Sequence, residues 1–339
     1  MDLSDIDYDL PESAIAQTPA EPRDSARLLV DRGNSPPLDA TVRDLPNFLR
    51  PGDYLVLNNT KVMPARLKLA RSTGGAVEVL LLEPLDDSEL TWVALVRPGG
   101  KLQDGESLND SDGNTVASFA GRHPTDLDSF IVSFPDSDAA RRLMARIGTM
   151  PLPPYIREVL GDQSRYQTVF ATRENSAAAP TAGLHITPEL LSAIKEKGIG
   201  VGEVELAVGL GTFKPVTATD PLDHQIHSEW YNVPEAVMSN CRSAERVIAV
   251  GTTSVRALES VATFGALTGR TSLFIHRGYE WKIVDLMMTN FHMPHTSLLL
   301  MIDSFVGQRW RKLYSTALER NYRFLSFGDA MLLDRHLSE

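Results

Sequence analysis

Within the first half of the chain, short apolar runs are broken by polar turn signals. Between Asp53 and about Phe134, the segments DYLVLNN, AVEVLLLE, TWVALVRPGG and DSFIVSF each read as a strand, and Asp-Gly turns punctuate LQDGESL and NDSDGNTVASF. Strands at this spacing with no helix between them predict a small barrel or sandwich. A helix follows over SDAARRLMARIG. Then comes MPLPPYI, where Pro151, Pro153 and Pro154 forbid regular structure and mark a domain boundary.

Beyond the prolines the rhythm changes. A helix over 188–197, the strand VGEVELAVG, a helix over 234–244, the strand RVIAVG, the helix SVRALESVATF and the strand TSLFI succeed one another. Such alternation predicts an α/β domain with a largely parallel sheet. Thr187 suits the cap of the first of these helices, Pro188 its first turn and Gly198 its end. The N-terminal 60 residues hold too little to fold alone, so they are expected to join this second region. The organisation predicted is a discontinuous α/β domain, residues 1–60 and 151–339, with an all-β insertion over residues 61–150.

Composition narrows this picture only modestly. The chain has 339 residues, 42% hydrophobic and 23% charged, enough for a sizeable core. Cys241 is its only cysteine, which excludes an internal disulfide or a cysteine metal cluster and suits a reducing cytoplasm. MDLSDIDYDLPESAIAQ lacks the order of a signal peptide, and no later apolar run is long enough to span a bilayer, so a soluble cytoplasmic protein is expected. A net charge of -11 argues against nucleic-acid binding by bulk charge. Locally, however, KVMPARLKLAR has four cations and no acid, and Arg141, Arg142 and Arg146 cluster nearby. Each stretch reads either as a solvated face or as a footprint for a polyanion.

Several segments carry candidate chemistry. In VIAVGTTSVRALE a buried strand runs through Gly251 into Thr252, Thr253 and Ser254 at a helix start, where free N–H groups favour a carboxylate or phosphate; plain capping is the alternative. Arg256 tilts the balance toward an anion site, because a guanidinium grips a carboxylate with two bonds. Gly209 and Gly211 do not make a dinucleotide loop, since the third glycine is missing and Pro215 blocks a following helix. Phe213 beside them suits stacking on a base or packing in the core. His224, His227, His292 and His295 raise a metal reading, which Pro294 and the absence of a helical His-Glu-x-x-His pattern disfavour. His227 with Glu229 fits an acid/base pair better. No Gly-x-Ser-x-Gly nucleophile or Walker loop is present, and Cys241 falls in a predicted helix where a structural role suits it.

Together the segments YQTVFA, AAPTAGLHIT, VGLGTF, HQIHSEWY, GTTSVRALE, VDLMMTNFHMP and FLSFGDAMLL, with YDLPESAIAQTPAEPRDSARLLV and LNNTKVMPARL, give a chain that closely resembles the S-adenosylmethionine:tRNA ribosyltransferase-isomerases of queuosine synthesis. The resemblance implies a β-barrel inserted into a larger α/β, barrel-like domain. It implies transfer and isomerisation of the ribosyl group of S-adenosylmethionine onto the 7-aminomethyl-7-deazaguanine at the tRNA wobble position. Epoxyqueuosine-tRNA, adenine and methionine are then the products. S-adenosylmethionine serves as co-substrate, and neither metal nor redox cofactor is needed, because the sulfonium acidifies the neighbouring ribose carbon for a positioned base.

On that resemblance His185, His227 and Glu229 are expected to move protons. Thr252, Thr253, Ser254 and Arg256 are expected to take the methionine carboxylate, Phe213 and Phe291 to flank a base, and Thr181, Asn290 and His292 to contact substrate. Arg23, Arg27, Lys61 and Arg66 are expected to face tRNA phosphates. The partners implied are tRNA and S-adenosylmethionine, without a membrane, for a monomer or homodimer. The chain departs from the family pattern at Ile186, Ala207, Ile226 and Arg277, among others. These departures motivate two alternatives, a paralogue acting on a small-molecule acceptor and a noncatalytic RNA-binding protein of the same fold.

Overall fold

The computed structural model describes residues 2–126, 128–209, 221, 224, 226 and 228–337. They form two compact units, a larger one of Met1–Lys61, Pro153–Arg173 and Ala179–Glu339, and a smaller one of Val62–Leu152 and Glu174–Ala178. The short return of Glu174–Ala178 to the smaller unit was not anticipated from the sequence, because five residues carry no period of their own.

The larger unit is built on a nine-stranded sheet. In spatial order its strands are Thr268–Thr271, Glu229–Asn232, Gly200–Leu206, Asp53–Asn58, Arg246–Val250, Leu286–Asn290, Ala330–Asp334, Arg27–Val30 and Leu38–Thr41. Central strands such as Asp53–Asn58 and Leu286–Asn290 are buried at every position, as strands covered on both faces must be. Leu28, Leu55, Leu57, Ile248, Val250 and Met288 form a common core with Ile186, Leu190 and Ile194.

Four strand pairs are parallel and four antiparallel, where alternation had predicted a largely parallel sheet. Ala330–Asp334 runs antiparallel to Leu286–Asn290, and the Glu229–Asn232 strand pairs antiparallel on both sides. The expected strand TSLFI also fails. Pairing ends at Thr271, and the apolar Leu273 and Ile275 that suggested a strand are buried as the wall of a cavity instead.

Helices follow their local signals more closely. Thr187 caps Pro188–Glu196 by accepting the Leu190 N–H at 3.1 Å, and Gly198 takes a positive φ just beyond. The Thr252–Phe264 helix starts at Gly251, whose φ of 85° lets the chain turn sharply out of the preceding strand, and ends at the left-handed Gly265. Within it Glu259 is wholly buried. Its carboxylate accepts N–H bonds from Lys282, Ile283 and Val284 and the hydroxyl of Tyr279, tying the 279–284 loop to the helix.

In the smaller unit, six antiparallel strands close into a barrel: Phe130–Ser133, Thr91–Arg97, Ala76–Pro84, Arg66–Arg71, Ser107–Asn109 and Thr115–Arg122. Alternation is the cause, with Leu67 and Leu69 buried and Lys68 exposed between them. Each of the six strands has a paired neighbour on both sides, which closes the sheet. The Ala139–Ile147 helix carries Arg141, Arg142 and Arg146, which pair with Glu89, Asp136 and Asp110. That cluster is therefore balanced by carboxylates within its own unit.

Candidate active site

The Gly251 turn delivers the N-terminus of the Thr252–Phe264 helix between two cavities of the larger unit. The larger, of about 620 Å³, is lined by Thr181, Asn290, Phe291, His292, Tyr155 and Leu325 among others. The smaller, of about 460 Å³, is walled by Glu229, Arg256, Leu273, Ile275, Ser297 and Met301 among others. Thr252, Thr253 and Leu298 face both. First-turn N–H groups have no acceptor within a helix, so both cavities meet at a site of partial positive charge.

A chain of hydrogen bonds fixes one wall of the larger cavity. Thr181 Oγ1 donates to Asn290 Oδ1 at 2.9 Å, and Asn290 Nδ2 lies 3.2 Å from His185 Nε2 and 3.3 Å from the Asp329 carbonyl. An amide nitrogen only donates, so His185 Nε2 accepts and its proton sits on Nδ1. Burial, with the charge of Arg323 adding to it, lowers the His185 pKa to about 4. This imidazole is neutral and sits behind Asn290, lining a third, smaller cavity and not the large one. Its Nε2 holds Asn290, so the ring stands behind the wall of the large cavity.

His292 does line the large cavity. Its Nε2 lies 3.0 Å from Thr289 Oγ1, and burial lowers its pKa to about 3. Phe291 is fully buried, stacked on Phe324 with centroids 4.6 Å apart. The His292–His295 spacing does not converge, because His295 turns to Asp7 at 3.1 Å.

At the smaller cavity Arg256 forms a buried ion pair with Glu229 and also donates to the Thr271 carbonyl. Glu229 accepts in addition the Gly209 N–H at 3.1 Å. The expected roles of these two residues are thus coupled: the carboxylate that was to move protons holds the guanidinium that was to hold a carboxylate. Two donors here have no acceptor among the described residues, Thr253 Oγ1 and Arg256 Nε. Ser254, by contrast, turns away, its hydroxyl bonding the Val250 carbonyl at 2.7 Å. It lines neither cavity, because a serine one turn into a helix reaches the preceding carbonyl more readily than open space. His227 and Phe213 lie outside the described residues.

The cations expected to face phosphates are engaged internally. Arg27 stacks 3.7 Å from the Tyr322 ring centroid and bonds Asp39 and the Arg320 carbonyl. Arg23 donates to the carbonyls of Gln167, Leu184 and Ser164. Arg66, in the barrel unit, bonds the Leu152 carbonyl and faces Glu78 at 3.9 Å. Lys61 is half-buried and has an interaction of its own.

Sequence reasoning overlooked Tyr155 and Ser326, which bond to one another at 2.7 Å on the large cavity's wall. Tyr155 closes the proline-rich segment that had been read as a boundary alone. A lone aromatic after stiff prolines was the available signal. Burial pushes its hydroxyl up to about 12, so it stays protonated. Next to Ser326, Leu325 holds a φ of 68°, a conformation that a branched residue rarely takes. Cys241 is buried with its thiol pushed up to about 12, as suits a structural residue.

Of the departures from the family pattern, those at Ile186, Ala207 and Arg277 fall away from these walls, whereas the 296–298 segment lines them. Arg277 pairs with the buried Asp303 at 3.0 Å, Ile186 is a core residue, and the Ala207 N–H bonds the Trp230 carbonyl. None of the three lines either cavity. Ile226 does, in the smaller one, where it contributes an apolar surface.

Comparisons with known proteins agree along the whole chain. Residues 3–333 match the family model described as queuosine biosynthesis protein. A protein of Symbiobacterium thermophilum named S-adenosylmethionine:tRNA ribosyltransferase-isomerase is 48% identical, covering 98% of this chain and all of its own length. One of the same name from Gloeobacter violaceus is 46% identical, over 96% of this chain and 94% of its own. Among solved structures, S-adenosylmethionine tRNA ribosyltransferase from Thermotoga maritima is similar with a TM-score of 0.54 and 34% identity, over 97% of this chain and 99% of that one. Identity of this level over nearly complete lengths places the chain in the queuosine biosynthesis family of S-adenosylmethionine:tRNA ribosyltransferase-isomerases.

Proposed function

We propose that this chain transfers and isomerises the ribosyl group of S-adenosylmethionine onto the 7-aminomethyl-7-deazaguanine of the tRNA wobble position, releasing adenine and methionine. Two cavities meeting at one helix N-terminus are the observation that carries this reading. A sulfonium nucleoside has two dissimilar ends, and so does this site. The methionyl end suits the smaller cavity, where Arg256 and the Thr252 and Thr253 N–H groups meet a carboxylate and Leu273, Ile275 and Met301 meet the side chain. The nucleoside and the acceptor base suit the larger cavity, with Asn290 locked by Thr181, His185 and the Asp329 carbonyl so that its Oδ1 is left to accept from a ribose hydroxyl or a base N–H.

The sulfonium acidifies the ribose carbon beside it, so a positioned base starts the rearrangement and S-adenosylmethionine is the only co-substrate required. With His185 and Glu229 spent on positioning, we assign the proton transfer to His227. No helix among the described residues is long and apolar enough to cross a membrane, and we place the protein in the cytoplasm with its tRNA. A small-molecule acceptor or a noncatalytic role gains no support from Ile186, Ala207 or Arg277, since all three lie away from both cavity walls.

Incubation with labelled S-adenosylmethionine and tRNA bearing the precursor base tests the reading. Adenine release that requires the tRNA, with label entering RNA, is the expected result. Release with the free base alone, or none at all, overturns it.

A further inference from the structure

Two hydroxyls that no assigned role uses meet on the wall of the large cavity. Tyr155 Oη and Ser326 Oγ lie 2.7 Å apart, and neither residue lines the smaller cavity that holds Arg256 and Glu229. Among the described residues no third side chain joins them. Burial keeps the phenol protonated, with its pKa pushed up to about 12. Each hydroxyl carries one proton and two lone pairs, so a bonded pair keeps one O–H free to donate and lone pairs free to accept. What remains is a donor beside an acceptor.

Both side chains are held by bonds between distant parts of the chain. Gln17 clamps the Tyr155 loop at two points, its Nε2 donating to the Tyr155 carbonyl at 3.0 Å and its Oε1 accepting the Arg157 main-chain N–H at 2.8 Å. Ser326 follows Leu325, whose φ of 68° is strained for a branched residue and whose N–H bonds the Phe291 carbonyl at 3.1 Å. The buried Asp329 fixes that turn by accepting the main-chain N–H groups of Arg323 at 2.8 Å and Arg27 at 2.9 Å. Backbone strain of this kind persists only where the surroundings over-determine it, and it concentrates at sites that bind or react.

We propose that the Tyr155–Ser326 pair reads the acceptor base, donating to its O6 and accepting its N1–H. The 7-aminomethyl-7-deazaguanine ring carries this carbonyl and this N–H on adjacent atoms, the complement of an adjacent donor and acceptor. With the bond between the two hydroxyls they close a ring of three hydrogen bonds, in which each strengthens the next. A base taken out of its stack is read along this edge. Adenine also carries a donor beside an acceptor, and the same hydroxyls can serve it with the bonds reversed. Position favours the acceptor base. S-adenosylmethionine is anchored at the Thr252 and Thr253 turn that both cavities share, whereas Tyr155 is half-exposed and lies in sequence between the exposed Pro154 and Arg157, at an edge that a base carried on tRNA reaches. The inference rests on the function proposed above.

The test uses the full chain and an anticodon stem-loop bearing the precursor base, beside a second stem-loop whose base lacks the 6-oxo group and so has neither O6 nor N1–H. With wild-type protein the altered base is expected to raise KM about tenfold, the scale of the hydrogen bonds removed. Tyr155→Phe and Ser326→Ala are each expected to raise KM for the normal stem-loop by a similar factor and to lose little more with the altered base. Combined, the two substitutions are expected to cost less than the product of their separate effects. S-adenosylmethionine binding, followed by calorimetry without RNA, stays unchanged in all three variants, which also shows that they are folded.

Wild-type protein indifferent to the 6-oxo group overturns the inference without any variant. So do losses from base and protein that simply multiply, which place that edge against other residues. Weakened S-adenosylmethionine binding with an unaltered KM for the stem-loop assigns the pair to adenine and overturns it as well. Wild-type protein that releases no adenine from S-adenosylmethionine in the presence of the precursor stem-loop retires the proposed function, whereas release with multiplying losses retires this inference alone.

Discussion

Asn290 Nδ2 and His185 Nε2 lie 3.2 Å apart, so a residue on the wall of the large cavity takes its orientation from an imidazole outside it. His185→Ala is expected to act through Asn290, raising KM with a lesser loss of kcat, because the amide loses its acceptor while the reacting atoms keep their neighbours. His185→Gln, which can still accept that bond, is expected to recover much of the loss. Steady-state kinetics of the two variants side by side decide it. Equal loss of kcat in both would make His185 a direct participant.

The same imidazole sets a pH dependence. His185 is lowered to about 4 and His292 to about 3, against 6.5 in an unfolded chain. Between those values the unfolded state binds more protons, so stability is fully present above pH 6.5 and is lost as pH falls toward 4. Thermal unfolding measured from pH 4 to 7 is expected to show Tm falling with acid. His185→Gln should remove up to one proton from that linkage, and an unchanged slope would show that His185 is not buried neutral.

Arg256 and Glu229 neutralise one another in a buried setting, so removing one strands the other. Glu229→Gln or Arg256→Met alone is expected to cost about 3 to 5 kcal/mol in urea unfolding, and the double change Glu229→Leu with Arg256→Met considerably less. The double variant should nevertheless bind S-adenosylmethionine poorly, since no guanidinium remains for its carboxylate. Strong binding by that variant would remove the methionyl end from the smaller cavity.

Glu259 carries a purely architectural prediction. Glu259→Gln keeps the shape but replaces an acceptor-only group with one that also donates, facing three N–H groups. A loss of about 2 to 4 kcal/mol is expected in denaturant unfolding. Activity per folded molecule should change little, because the residue lines neither cavity.

Tyr155→Phe removes one hydroxyl from the cavity wall and frees Ser326. Stability should fall by about 1 kcal/mol, the usual net worth of one hydrogen bond. Turnover on tRNA is expected to suffer more than S-adenosylmethionine binding, and a variant kinetically identical to wild type would place Tyr155 outside the reaction.

Local signals made much of this protein legible in advance. The Thr187 cap, the Gly251 start of the 252–264 helix and the strand AVEVLLLE each depend on neighbours within a few residues, and each is visible in one dimension. Leu273 and Ile275 mislead because alternation reports burial on one side, and a cavity wall buries side chains as well as a sheet does. The direction of the His185 ring was not legible at all, because it depends on a partner 105 residues away.

From the sequence alone came the class of fold, the change from successive strands to alternating strands and helices, and the segments that carry the family resemblance. Those follow from propensity and patterning, which act over short stretches of chain. Tertiary structure alone decided that Glu229 faces Arg256, that Asn290 is held by His185, and that Tyr155 and Ser326 meet on a cavity wall. Hydrogen bonds and ion pairs act over a few ångströms in space, and only the packed fold brings such distant residues that close.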